Sequence, residues 1–381
     1  MTDRAALVVG AGPAGSIAAL LLARAGVSVQ IVDRASFPRD KLCGDTVNPG
    51  SLAILDRLGL GNRVRPRIRP ITGMTVTGPR GARVAADYPD RLVAGAIMRR
   101  DFDQALLDAA MAAGADFCPD VHVLAPSLDG DRVIGAVIRR GEYHEMLPAR
   151  VVIAADGRGS RLGSALGLTA FASAPRRWAF GAYFTNVAGL TSHGEMHVRS
   201  DGYIGIAPVT DTLTNVCVVR AVAARVAGRK DPPYENIADV IARDVLLRER
   251  FAAATQVTPV TTLGPLAVNA RAAGCPGLLL AGDAAGFVDP MTGDGLRFAI
   301  RGGELAAQAA LAELASGLPA HQQLWQARAA EFGGKWRVNR ALRSLVGSPR
   351  GVTVAAALTS RWPAPVRFLV GVAGDVRLAR P

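Results

Sequence analysis

Lysine is nearly absent: only Lys41, Lys230 and Lys335 stand among the 44 basic residues, so the net charge of +12 rests on arginine. That arginine is scattered, with no basic run, aromatic-interleaved patch or recognition-helix pattern, which argues against nucleic acid as a partner. The charge favours anionic company instead, such as a phosphate-bearing cofactor, an acyl carrier or a peripherally contacted membrane. Cysteine is scarce too. Cys43, Cys118, Cys217 and Cys275 lie far apart without a C-x-x-C pair, so neither a disulfide framework nor a zinc site is expected, and no other metal is. The chain also lacks an uninterrupted apolar run of about 18 residues, the length a spanning helix needs. Its best candidate, VTVAAALTSRWPAPVRFLVGVAG, is broken by Arg361, Pro363, Pro365 and Arg367, and suits resting on a membrane rather than crossing it. The N-terminus enters an apolar strand at once and does not read as an export signal, so a cytoplasmic, or membrane-peripheral, location is expected.

No Ser, Gln or Pro tract and no internal repeat interrupts the chain; half of its residues are hydrophobic and a fifth are charged, the composition of a folded globular protein. Its 381 residues suggest two domains, one interrupted by the other.

What is present begins with ALVVGAGPAGSIAALLLARAGVSVQIVDR, which reads as strand, tight turn, helix and strand. This is a βαβ unit, implying a parallel sheet with a right-handed crossover. Gly10, Gly12 and Gly15 form G-x-G-x-x-G between that strand and that helix, where the motif has a mechanism. Gly10 allows the sharp turn, Gly12 lets backbone approach a pyrophosphate, and Gly15 lets helix and strand pack closely. Pro13 and Ala14 complete the phosphate-facing turn, with helix amides aimed at the anion. Gly26 sits where a left-handed cap would close the helix. Asp33 ends the second strand, beside Arg34 and 18 residues past Gly15, where a carboxylate can accept from a ribose.

A second segment, CPGLLLAGDAAGFVDPMTGDGLRFAIRGGELAAQAALAEL, carries a buried strand at Leu278–Ala281, an acidic turn at Gly282-Asp283 and a long helix from about Gly295. The pairing of GAGPAG with L-L-A-G-D-A-A and D-P-x-T-G-x-G resembles the FAD-dependent oxidoreductases of the glutathione-reductase-like superfamily, in the p-hydroxybenzoate-hydroxylase-fold branch. The resemblance spans roughly Ala5 to Leu314. It implies that Asp283 holds the FAD ribitol and that Gly282, Pro290, Gly293, Asp294 and Gly295 belong to the cofactor site, with the amides of the last three facing flavin N1 and O2. A helix N-terminus there would stabilise the negative charge of a reduced flavin.

Two further stretches carry the resemblance. VVIAADGRGSRLGSALG places Asp156 and Gly157 where family members carry a D-G pair beside the pyrophosphate that assists NAD(P)H. Ser160 continues that pattern, while Gly163 stands where it has an arginine and Arg161 is out of place, a departure that weakens any nicotinamide role. In MRRDFDQALLDAAMAAGADF, Arg99 or Arg100 precedes a helix expected to start at Asp101, and Arg100 is the expected FAD contact. No second G-x-G-x-x-G appears, so NAD(P)H is expected only as a transient electron donor.

The stretch PRDKLCGDTVNPG discriminates within the superfamily. Lys41, Cys43, Gly44 and Asp45 match the K-x-C-G-[GD] element of the geranylgeranyl-reductase-like subgroup, which implies that Lys41, Cys43 and Gly44 border the flavin. Cys43 is the catalytic candidate: a thiol beside an ammonium and near a helix end can have its pKa lowered and act as proton donor or polar guide, with a packed wall residue as the alternative reading. The subgroup's P-x-T-G-x-G-[IL]-x-x-A pattern is also present, with Arg297 where hydroxylases have Asn. The subgroup's Y-x-W-x-F-P run survives only as Tyr203 and Pro208, with Gly205 and Ala207 replacing the aromatics, which enlarges or reshapes the cavity. The halogenase hallmark W-x-W-x-I-P is missing.

The expected architecture is a mixed α/β chain. A Rossmann-like FAD-binding domain with a central parallel sheet takes residues 1–70, 96–170 and 264–323. An inserted antiparallel-sheet substrate domain takes 71–95 and 171–263, and helices take 324–381, with Trp325, Trp336 and Trp362 packing them back. ITGMTVTGPRGARVAADY and RRWAFGAYFTNV read as antiparallel strands. His122, His144, His193 and His197 read as surface or core histidines. The function expected from the resemblance is that of an FAD-dependent oxidoreductase of secondary metabolism, passing hydride from reduced flavin to a C=C bond of a hydrophobic isoprenoid or polyketide-like molecule. The alternatives are an NAD(P)H- and O2-dependent monooxygenase of an aromatic or polyketide substrate, and a non-catalytic lipid carrier.

Overall fold

The computed structural model describes residues 4–78, 82–173, 176–221, 236–289, 291, 293–346, 370–372 and 374–375, and for 338–346 the backbone alone. Strand Arg4–Val9, helix Pro13–Arg24 and strand Val29–Val32 form the expected βαβ unit. Gly26, at φ +78°, turns the chain after the helix. The two strands pair in parallel. The sheet continues in parallel to Tyr143–Ala154 and Leu278–Leu280 on one side and Asp116–Cys118 on the other. Ala6–Val9 and Val151–Ala154 are apolar throughout because both faces are covered there: Ala6, Val8 and Ile31 face one core, Leu7, Val9 and Val32 the other.

A second sheet runs Thr255–Gln256, Arg177–Thr185, Thr214–Ala221, Gly202–Pro208, His193–Arg199, Gly73–Thr77 and Arg83–Asp87, with Thr261–Leu263 also on Arg177–Thr185. Its pairings are antiparallel as expected, except that His193–Arg199 pairs in parallel with Gly73–Thr77. These two strands are joined through distant chain rather than a hairpin, so no tight turn imposes antiparallel geometry.

Alternation sets the two faces of this sheet. Phe180, Phe184, Ile204, Ile206, Val216 and Val218 pack outward against Ile237, Val240, Leu247 and Phe251. On the inner face, Ala179, Tyr203 and Val219 meet Leu266, Met291, Leu42 and Phe287. His193 bonds Thr75 and Asp87, and buried His197 bonds Thr77 and Glu195, so both serve the fold.

Helix Gly295–Ser316 lies across the first helix, and a Cβ on Gly303 would fall 2.3 Å from the Ala14 carbonyl oxygen. Helix His321–Val346 packs onto it. Trp336 stacks near Phe298 and Phe332, whereas Trp325 stays 41% exposed and packs nothing back, since its position falls on the solvent side of that helix. Trp362 lies outside the described residues. Arg297 points away from the sheets, pairing with Glu331 at 2.5 Å and Asp375 at 2.6 Å. Its place in the second motif therefore ties the last helices down.

Candidate functional site

The first glycine turn is built as its sequence demands. Gly10 has φ +100°, and a Cβ there would fall 2.5 Å from the Ala155 carbonyl oxygen. A Cβ on Gly15 would fall 1.8 Å from the Gly10 oxygen, so both positions admit only glycine. Gly12 differs, since a Cβ would meet nothing closer than Arg39 Nη2 at 3.6 Å. Its backbone borders open space, as a close-approaching ligand needs.

No side chain caps the helix that starts at Pro13, and none caps the one that starts at Gly295. Their first-turn amides remain free to meet anionic atoms. The Gly282 turn meets the first of these ends, where a Cβ on Gly282 would lie 2.8 Å from the Ala14 Cβ. Both ends open on one cavity of about 380 Å³, within the range of small-molecule sites. Gly12, Pro13, Ala14, Gly157, Gly282, Asp283, Gly293 and Gly295 line it, together with Lys41, Cys43 and Gly44.

Cations crowd the same end. Lys41, Arg99 and Arg158 line the cavity, and Arg39 stands beside Gly12. Burial lowers the pKa of Lys41, and the Arg99 charge adds to this while Asp283 opposes it. Burial likewise lowers Arg158, again opposed by Asp283. A bound diphosphate would relieve this crowding. Free helix amides, a turn open at Gly12, neighbouring cations and the Asp283 carboxylate together fit FAD.

The rest of the cavity is apolar. The sheet contributes Met74, Val76, Val84, Met196 and Val219, and Leu263, Leu266 and Phe287 close the other side. Tyr203, Gly205 and Ala207 share its inner face. The two positions that lost aromatic side chains thus face the cavity, and a Cβ on Gly205 would meet only the Cys217 carbonyl oxygen, at 3.8 Å. Tyr203 donates to Asp289 Oδ1 at 2.8 Å, and Asp289 pairs with Arg177 at 2.9 Å.

Between these halves sits Cys43. Burial pushes its thiol pKa up; the Asp45 charge adds to that, and Arg99 opposes it. The expected lowering by Lys41 is therefore corrected: desolvation outweighs the nearby cations, and the thiol stays protonated at neutral pH. Asp45 is fully buried with φ +52°. Its Oδ2 accepts from the Tyr183 hydroxyl at 2.5 Å and Asn215 Nδ2 at 2.6 Å, and Asn215 also donates to the Cys43 carbonyl oxygen at 3.0 Å.

Other expected residues fall less centrally. Asp33 accepts from the Ala11 and Ala35 backbone N–H groups at 2.7 and 3.0 Å, behind the turn, and Arg34 is exposed. Asp156 accepts from the Arg161 N–H at 2.9 Å and leaves Oδ1 buried without a partner, while Ser160 caps the short helix Arg161–Ala165. Asp294 is buried and pairs with Lys335 at 2.8 Å and Asn48 at 3.2 Å. Pro290 lies outside the described residues.

Of the two arginines before the helix, Arg99 lines the cavity and Arg100 does not. The helix starts at Arg99, not Asp101, and its turn carries Arg99 into the cavity wall while Arg100 points outward, 43% exposed and 3.9 Å from Asp40. Sequence reasoning also left Arg39, Arg158, Tyr183 and Asn215 unassigned. Only the i, i+4 spacing of Arg99 and Asp103 signalled which arginine turns inward.

Comparison with known proteins agrees with this geometry. The model of the family described as FAD binding domain matches residues 3–328. The menaquinone reductase of Mycobacterium tuberculosis is 30% identical over 97% of this chain and 90% of its own. The digeranylgeranylglycerophospholipid reductase of Methanoculleus marisnigri is 26% identical over 88% of this chain and 82% of its own. Among solved structures, the FAD-dependent myxobacterial chondrochloren halogenase superposes with TM-score 0.80 at 25% identity, covering 88% of this chain and 82% of that one.

Proposed function

The chain belongs to the FAD-binding-domain family and is an FAD-dependent oxidoreductase, and from that premise we propose that it reduces a carbon–carbon double bond in a polyprenyl lipid. One observation carries the reading: the apolar cavity runs from the flavin cradle along Met74, Val76 and Val84, and is widened at Gly205 and Ala207. Such walls recognise a long hydrocarbon by area, at about 25 cal/mol per Å² buried, and offer few partners to a polar substrate. The relatives are named as reductases of menaquinone and of a digeranylgeranylglycerophospholipid, which supports a lipid of this class.

Bound FAD supplies hydride once reduced. The protein's own part is to orient the chain against the inner sheet face, exclude water, and deliver a proton. Cys43, neutral in its buried setting, is placed to donate it from Sγ. NAD(P)H is the proposed electron donor, binding transiently. The substrate would be taken from a membrane surface or a carrier, both anionic partners for this basic chain.

The test is anaerobic. Dithionite-reduced holoprotein mixed with a polyprenyl quinone should reoxidise and yield a product that, after any quinol is oxidised back to quinone in air, is still heavier by two hydrogens in its chain. Reoxidation that requires oxygen and gives a hydroxylated product would establish the monooxygenase reading instead. Protein that purifies colourless and binds lipid without turnover would establish the carrier.

A further inference from the structure

Asp45 is a buried carboxyl between the cavity-lining Gly44 and Thr46 whose setting the reading above does not use. It is fully buried, its backbone is left-handed, and it follows Cys43 by two residues. Its two oxygens differ. Oδ2 is pinned by Tyr183 and Asn215. Oδ1 is buried and completes no hydrogen bond, although the Arg99 backbone N–H lies near enough to favour the ionised form. A buried carboxylate oxygen without a partner is costly, whereas a protonated one carries its hydrogen there at less cost. Asn215 Nδ2 donates both to Asp45 Oδ2 and to the Cys43 carbonyl oxygen, and the Asp45 charge helps push the Cys43 thiol pKa up, so acid and thiol share one small space.

We propose that Asp45 is the proton reserve of this site: it holds a proton on Oδ1 and returns it to Cys43 after each reduction. The inference rests on the reductase reading above. In each turnover the substrate double bond gains a hydride from reduced flavin at one carbon and the Cys43 proton at the other. The S–H bond breaks as the C–H bond forms, leaving a thiolate. The Oδ1–H bond then breaks as S–H reforms, and solvent water reprotonates the carboxylate. Asp45 touches no substrate; it is a positioning residue acting through Cys43.

The surroundings suit that duty. Burial raises Asp45 to about 7, against the Tyr183 and Asn215 hydrogen bonds and the Arg99 charge, so the acid exchanges its proton near neutral pH. Cys217, a further titratable neighbour, is pushed up to about 12 by burial and by Cys43 and Asp45, and stays neutral. Tyr183 is raised by burial and by Asp45, and keeps its own proton.

The test uses flavin-loaded wild type, Asp45→Asn and Tyr183→Phe. Asparagine keeps an acceptor for Tyr183 and tolerates the left-handed backbone, so the variant should fold with normal flavin content. First, Cys43 alkylation by iodoacetamide is followed against pH by peptide mass spectrometry, which needs no substrate. Asp45→Asn should alkylate several-fold faster at alkaline pH, because a negative neighbour is gone; an unchanged profile overturns the proposal. Second, anaerobic reoxidation by a polyprenyl quinone should slow in wild type as pH rises through about 7. Asp45→Asn should be at least about tenfold slower and lose that step, and Tyr183→Phe should move the step to higher pH by removing a bond that favours the carboxylate. A step that survives in Asp45→Asn, or stays put in Tyr183→Phe, overturns the proposal. Should wild type pass no hydride to any polyprenyl acceptor, the reductase reading fails by itself, and the alkylation arm still decides whether Asp45 governs the Cys43 proton.

Discussion

Arg99 grips Asp103 with two parallel hydrogen bonds, Nε to Oδ1 at 2.8 Å and Nη2 to Oδ2 at 2.7 Å, one helical turn along and with both side chains buried. Burial works against the Arg99 charge, but Asp103 holds its pKa up. Arg39 is the second cation on Asp103, at 3.2 Å. Arg99→Leu would leave Asp103 with that partner alone, and should destabilise the protein by about 3 kcal/mol in urea unfolding. Arg100→Ala, at an exposed site, should shift stability by less than about 0.5 kcal/mol. Equal effects would mean that the wrong arginine has been placed inside.

The three glycines of the first turn should separate. Gly15→Ala drives a Cβ into the Gly10 oxygen and should destabilise the flavin-free protein by about 3 kcal/mol or more. Gly12→Ala meets only a flexible arginine tip, so the thermal midpoint without flavin should hold. FAD affinity should nevertheless fall about tenfold or more, since the methyl fills the approach path. Flavin titration beside a melting curve checks both.

Asp283 lines the cavity between Lys41 and Arg158. Replacing it by alanine should cost FAD binding about 1.5 to 3 kcal/mol, the range for a charged hydrogen bond. The observable is the flavin content of the purified variant and its equilibrium titration, and retention equal to wild type would remove Asp283 from the ribitol site.

Gly205→Trp should convert the widened cavity into a shorter one. The position faces open space, so folding and flavin content should be unaffected. Reoxidation by a long polyprenyl acceptor should drop at least about tenfold, while a short-chain analogue is spared; this follows if roughly 1.4 kcal/mol of chain burial is lost. Parallel loss with both acceptors would place the chain elsewhere.

Asp45 also makes a prediction about stability. Its folded pKa is raised from 3.8 to about 7 by burial, so the folded state binds a proton that the unfolded chain has released. The stabilisation is complete below 3.8 and is lost as pH rises through about 7. Flavin-free wild type should lose up to about 4 kcal/mol relative to Asp45→Asn between about pH 4 and about pH 8. Urea unfolding of both proteins across that window measures the difference, and parallel curves would show Asp45 ionised throughout.

The cofactor cradle was legible because its constraints are local. Gly15 is demanded by a contact within one strand–turn–helix unit and Gly10 by its own positive φ of +100° in the turn, and the second motif repeats that logic around Gly295. The sheet strands announced themselves by alternation or by continuous apolar runs. The inward arginine escaped because Arg99 and Arg100 differ by a single helical step of about 100°, and the start of the helix decides which one meets the cavity.

The sequence by itself therefore determined the βαβ unit, the glycine turns, the acids that follow them and the flavin chemistry they serve, since each depends on residues near in chain and on backbone geometry. Only the tertiary structure brought Asp45 to Tyr183 and Asn215, distant in the chain, and set Gly205 opposite open space. Desolvation is the reason: burial raised Cys43 and Asp45 against nearby cations, and how far a group is withdrawn from water is a property of the packed fold that no local pattern records.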